Sequence, residues 1–179
     1  MPITTSDVLF KGSGGSSPGN STAVASPANW LGGYMSSTEI TNASLHNVFD
    51  VITGDENAAS DVEYRCIFVH NAHATLTYQS VVVWISSETA GGASAALSLD
   101  TTGVVAYNTA STMAKTIANE GTAPATQTFS APTTKGTGLS VGNMGPNTAQ
   151  AIWIRRTAAN TGALDLDGVV ISVSGDSAA

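Results

Sequence analysis

The sequence predicts a single all-β domain built as an antiparallel β-sandwich, and three observations carry that prediction. Of the 179 residues, 42 % are hydrophobic, enough for a real core, while only 11 % are charged, well under half the usual share. Ser, Thr, Gly, Ala and Asn fill the gap, and small polar residues with Gly favour turns and extended chain over long helices. From residue 62 the apolar period becomes two, in VEYRCIFVHN (62–71) and TLTYQSVVVWIS (75–86), both rich in aromatic and β-branched side chains. Gly, Asn or Pro then punctuates almost every gap between the strand candidates that follow. Short strands with no long helix between them argue against a parallel α/β sheet.

In chain order, residues 1–29 read as an extended N-terminal arm and 30–179 as the sandwich domain. Within the arm, Val8, Leu9 and Phe10 form a short strand candidate. KGSGGSSPGNSTAVASPAN is too rich in Gly, Ser and Pro to offset its own ordering entropy. Such an arm is either a disordered tail or a segment that orders on a partner. Apolar character resumes at Trp30. In TNASLHNVFDVITGDE, Leu45, Val48, Phe49 and Ile52 fall at helical spacing, with Thr41 or Asn42 as cap and Gly54 as terminator. VFDVI is equally readable as a strand. TGDENAASD is then an exposed acidic loop. The two long strands, 62–71 and 75–86, are joined by a tight AHA connection, and shorter strands are expected at 95–100, 103–107, 126–130, 138–141, 150–157 and 168–174. No internal repeat is visible.

Six Lys and Arg against thirteen Asp and Glu leave a formal net charge of −7. Nucleic-acid binders concentrate positive charge, whereas Lys11, Lys115 and Lys135 are scattered singly, so nucleic acid is excluded as a partner. No apolar run approaches the roughly 20 residues of a membrane-spanning helix, and no membrane partner is expected. The N-terminus lacks the basic and apolar regions of a signal peptide, so the product is expected to stay in the cytosol unless something larger carries it out. The lone Cys66 has no internal disulfide partner and reads as a small buried side chain.

The chemistry-bearing patterns are weak. GLSVG (138–142) matches a nucleophile elbow at Ser140, but that motif needs a strand before it and a helix after it. TTKGTG precedes and NMGPN follows, and His46, His70 and His73 all come before the serine. His70 and His73 stand three apart on a strand and turn, where that spacing does not converge two rings on one metal. DLDG (165–168) and GDENAASD (54–61) lack the ligand offsets of a calcium loop. GSGGSS has no P-loop lysine. A glycan hydrolase would need two carboxylates some 5–10 Å apart, and Glu63 with Asp61 or Glu88 is the one pairing to nominate. No cofactor is called for, and no catalytic or metal-binding residue is assigned.

The stretches LGGYMSSTEI, FDVITGDENAASDVEYRCIFVHNAHATLT and QAIWIRRTAANTGALDLDGVVISVSGDSAA, spanning about 30–86 and 150–179, resemble a group of tailed-bacteriophage virion proteins. Among these the chain is most similar in type to small jelly-roll cement, or decoration, proteins. The resemblance implies a jelly-roll-like sandwich and a non-enzymatic capsid component. It also implies homotrimers and a site on the capsid exterior of the virion, after synthesis in the host cytoplasm. The partner would be the major capsid protein, with neighbouring subunits bridged by many copies. A tail, baseplate or head-fibre component that helps host attachment is the alternative. A surface of net charge −7 would be repelled by packaged DNA, which favours the outside. An arm ordering on a partner gives Val8, Leu9, Phe10 and Trp30 as contact candidates.

QAIWIRRT (150–157) adds Arg155 and Arg156, two of the chain's three arginines. Alternation along a strand puts Trp153, Arg155 and Thr157 on one face and Ile152, Ile154 and Arg156 on the other. One arginine is expected to bind a local acid such as Asp165 or Asp167, bidentately, and the other to contact a second subunit. The competing expectation is that both are solvated at a strand end.

Overall fold

The computed structural model describes residues 2–19, 22–162, 164 and 166–177. Its strands are β1 (Val8–Gly12), β2 (Gly32–Gly33), β3 (Val62–Asn71), β4 (Tyr78–Glu88), β5 (Ser94–Leu99), β6 (Val105–Ala106), β7 (Ala114–Thr116), β8 (Leu139–Met144), β9 (Thr148–Thr157) and β10 (Val169–Ser177). One short helix, α1 (Gly54–Ala59), lies between β2 and β3. The five-stranded sheet runs β1-β3-β9-β5 with β6 also on β9, the three-stranded sheet runs β10-β4-β8, and β2 pairs β7. All of these pairings are antiparallel. The all-β antiparallel sandwich predicted from the sequence is the fold.

Ile67, Val69, Val81, Val83, Ile85, Leu97, Met144, Ile152 and Ile154 form the core between the two sheets. A second core lies on the other face of the large sheet: Cys66, Phe68, Ala149, Ala151 and Trp153 pack against Met35, Met113 and Ala114. β3 and β9 are therefore buried on both faces, which is why RCIFV and AIWI read as continuous apolar runs within otherwise alternating strands. Each fully buried aliphatic or aromatic side chain contributes roughly 1.5–3 kcal/mol of transfer free energy, so these two central strands anchor both layers.

Five expectations are corrected. The AHA connection joins no hairpin: β3 belongs to the large sheet and β4 to the small one, so residues 72–77 cross between layers. The Asn71 amide fixes the crossing by donating to the carbonyls of Leu76, Met144 and Gly145. His73 Nδ1 accepts from the N–H groups of Thr75 and Leu76.

No helix forms over 41–53. Ala43 and His46 adopt left-handed φ values of 57° and 56°, and the Asn47 side chain bonds the Thr41 carbonyl, a local alternative to helical hydrogen bonding. The helix starts where the acidic loop was expected. Thr53 Oγ1 accepts the Glu56 N–H while the Glu56 carboxylate accepts the Thr53 N–H, a reciprocal cap that makes Gly54 the first helical residue instead of the last.

The described part of the arm lies on its own domain. β1 pairs with β3 from Val8↔Asn71 to Gly12↔Ile67, and Gly14 N–H donates to the Gly32 carbonyl. Apolar VLF pairing offsets the ordering entropy that the glycine-rich stretch alone does not. Within 126–130, pairing reduces to a single bridge, Leu97↔Ser130, because Thr126 turns the chain with φ 62°.

Candidate functional site

The three arginines lie near the end of the large sheet where β3 begins and β9 ends, Arg65 and Arg156 on one face and Arg155 on the other. The register places Glu63 opposite Arg156 and Tyr64 opposite Arg155. Arg156 Nε donates to Glu63 Oε2 at 2.7 Å, its Nη2 pairs with the same carboxylate, and Asp50 accepts at both its backbone and side-chain oxygens. The Arg156 guanidinium also lies 4.6 Å from the centroid of the Phe49 ring, and that of Arg65 lies 5.3 Å from it. Arg65 pairs with Glu120. Burial pushes the Glu63 carboxyl above its ordinary range, by more than Arg156 beside it pulls it down.

Arg155 stacks over Phe129 at 5.4 Å, and Phe129 in turn meets Tyr64 with centroids 5.5 Å apart. It has no carboxylate within 4.0 Å among the described residues. The acid that binds Arg156 is thus Glu63, with Asp50, in place of the nominated Asp167. Asp167 instead accepts the Ala93 N–H, and Asp165 lies outside the described residues.

The other contact candidates do not join this cluster. Val8, Leu9 and Phe10 are part-buried in β1. Trp30 is 2 % exposed, packs on Gly12 and donates from Nε1 to the Val24 carbonyl, so its ring belongs to the core. Ser140 is exposed within β8, a strand with no helix directly after it. The nominated carboxylates are occupied locally: Glu63 by Arg156, Asp61 by the Val62 N–H and Glu88 by the Ala95 N–H.

The sequence did not reveal that two polar groups, Asp100 and His70, are buried. Asp100 accepts from the Thr102 N–H, the Lys115 N–H and Trp153 Nε1–H at 2.8–2.9 Å. Burial raises its carboxyl, but these donors outweigh that and hold it below its usual range. The Asp100 carboxylate therefore ties β5, β7 and β9 together. His70 is 5 % exposed, and neither ring nitrogen has a hydrogen-bond partner. Its ring lies 5.7 Å from that of Tyr107, and burial, with Lys11 nearby, brings its pKa down to about 4.

The surface feature with most to offer a partner is the same end of the sandwich. Here the segments before β3, between β4 and β5, and between β9 and β10 meet. Asn57 donates to the Thr161 carbonyl, Thr161 Oγ1 to that of Gly91, and the Thr89 N–H to that of Gly168. Leu45, Val51, Leu164, Leu166 and Val170 are 68, 62, 45, 76 and 50 % exposed. Val51, Leu164, Leu166 and Val170 lie on these segments or at the start of β10, whereas Leu45 lies beside Pro27, Trp30 and Ile40. Exposed Asp50, Asp55, Asp61, Glu88 and Asp167 stand among them, while the arginines there are engaged internally. The result is an aliphatic, acidic end on a rigid support. No family model, no curated protein and no solved structure matches this chain.

Proposed function

We propose that this chain is a structural protein of a tailed-bacteriophage virion. In this reading it is a head cement protein that sits on the capsid exterior and bridges neighbouring major capsid subunits. The observation that carries the reading is the loop end. Exposed Val51, Leu164, Leu166 and Val170 at one end of a small domain form the kind of apolar surface that marks a protein interface. Exposed carboxylates around them favour a partner with a basic rim and disfavour nucleic acid. The sequence resemblance supplies the phage context and the jelly-roll expectation.

The test is a particle that lacks the protein. A head that assembles without it but bursts under heat or low salt supports cementing. A sturdy, non-infectious particle favours attachment through the tail or a fibre, and absence of the chain from mature virions removes the reading altogether.

A further inference from the structure

Part of the second core lies under a single surface segment. Residues 101–112 run between two buried anchors, Asp100 at one end and Met113 with Ala114 at the other, and none of them is fully buried. The Asp100 carboxylate accepts the N–H groups of both Thr102 and Lys115, so one side chain clamps the two ends together. Ends held close on a surface segment of this size mark an Ω-loop. Its ties to the rest of the domain are few. β6 pairs β9 through Val105↔Ala149 and Ala106↔Thr148. The Tyr107 N–H donates to the Asn147 carbonyl, the Gly19 N–H to the Tyr107 carbonyl, and Tyr34 Oη to the Ala110 carbonyl.

His70 lies beneath this segment. Ala149 stands opposite His70 in the β3–β9 register and opposite Val105 of β6, and the Tyr107 ring reaches to 5.7 Å from the imidazole. His70 is 5 % exposed, and neither ring nitrogen has a hydrogen-bond partner among the described residues. A protonated ring would carry two N–H donors and a charge with no acceptor for either. The groups around it offer no compensation. Lys11, buried on the neighbouring β1, sets a second positive charge nearby, and its partner Glu39 stands 4.0 Å from it and largely exposed. β9 presents Ala149, and the segment itself presents the Tyr107 phenol. Residues 12–19, which tie the segment down, contain no ionisable side chain. Asp7, ahead of β1, turns its carboxylate to Thr4.

We infer that residues 101–112 form an acid-opened lid: a proton on His70 lifts this segment off the second core while β1, β3 and β9 stay paired. The way each neighbour is held decides which one gives way. β1 is locked by five register pairs to β3 and by residues 36–40 along its outer side, and β9 by ten register pairs to β3. The lid has two pairs and no buried side chain of its own, and local opening draws on the segments with fewest buried contacts. Lifting Tyr107 lets water reach the imidazolium. The sign follows from linkage: the ring binds protons more weakly under the lid, with a pKa of about 4 against 6.5 in water, so protons favour the open form. Its opening constant grows about twentyfold from pH 7 to pH 5. The proposal does not depend on the virion reading.

The test is amide hydrogen exchange of the full chain by NMR at those two pH values, corrected for intrinsic rates. The Tyr107 and Gly19 N–H groups bond across the lid boundary, whereas the Cys66 N–H bonds the carbonyl of buried Trp30. Tyr107 and Gly19 should be far less protected than Cys66 at both values, and their protection should fall about twentyfold on acidification. In His70→Leu the fall should shrink to less than about twofold. Should that variant not fold, Lys11→Met carries the same test: with the neighbouring cation gone, the fall should be smaller than in wild type. Protection of Tyr107 and Gly19 equal to that of Cys66 would show that the segment opens only with the whole fold. An undiminished fall in the folded variant would show that another group drives the opening, and either result would overturn the inference.

Discussion

At the residue scale, buried polar groups carry the most specific expectations. Removing one partner of a buried ion pair leaves the other uncompensated. Arg156→Ala strands Glu63, whose side chain is 7 % exposed, and should lower the free energy of unfolding by about 3 kcal/mol in urea titration. Arg155→Ala, which loses a stacking contact on Phe129, should cost less than about 1 kcal/mol. Equal effects would mean that the two arginines are not differently engaged. His70 makes stability pH-dependent with a defined sign. Its pKa is about 4 in the fold against 6.5 in the free side chain. The unfolded chain therefore binds more protons between those values, and stability falls as pH drops from about 6.5 to about 4. The loss is at most about 3 kcal/mol, and urea midpoints of His70→Leu should be flatter with pH over that window. An unchanged slope would show that His70 does not titrate with unfolding.

Some of this was legible beforehand. Alternation along IWIRR correctly separates the two arginines, and aligning VEYRC antiparallel with IRRT would have set Glu63 opposite Arg156. The donors around Asp100 were not legible, because Lys115 and Trp153 approach it only through contacts between distant strands.

At the element scale, the strands were readable where period and β-branching agreed, as in β3, β4, β9 and β10. Elements defined by a few backbone bonds were not. β2 and β7 pair Gly32 with Thr116 and Gly33 with Ala114, and nothing in GG or AKT announces a strand. The helical spacing of Leu45, Val48, Phe49 and Ile52 misled because Ala43 and His46 turn left-handed and the Asn47 side chain competed for the Thr41 carbonyl. The capping box at Thr53 and Glu56 was visible but overshadowed by that apolar pattern. Thr53→Ala should cost about 1 kcal/mol at most, since α1 buries no residue. Gly12 matters more to the fold. A Cβ there would lie 2.2 Å from the Trp30 ring, so Gly12→Ala should destabilise by about 1–3 kcal/mol through overpacking, read as a lower urea midpoint. Full stability in that variant would mean that Trp30 moves aside and is not a fixed part of the core.

At the scale of the molecule, β-richness, acidity and the doubly buried centre combine into a body with most of its exposed large aliphatic side chains at one end. Composition and periodicity foretold the body. They did not foretell the end, because Val51, Leu164 and Leu166 look like ordinary core residues until the turns that expose them are known. The account's central claim is that this end is what grips a larger partner. The most direct measurement is add-back of purified protein to heads that lack it, scored as bound copies per particle and as the temperature at which the heads burst. Wild type should rebind and raise that temperature. A folded variant with Val51, Leu164 and Leu166 all changed to Ser should do neither. Rebinding and protection by that variant at wild-type levels would contradict the claim.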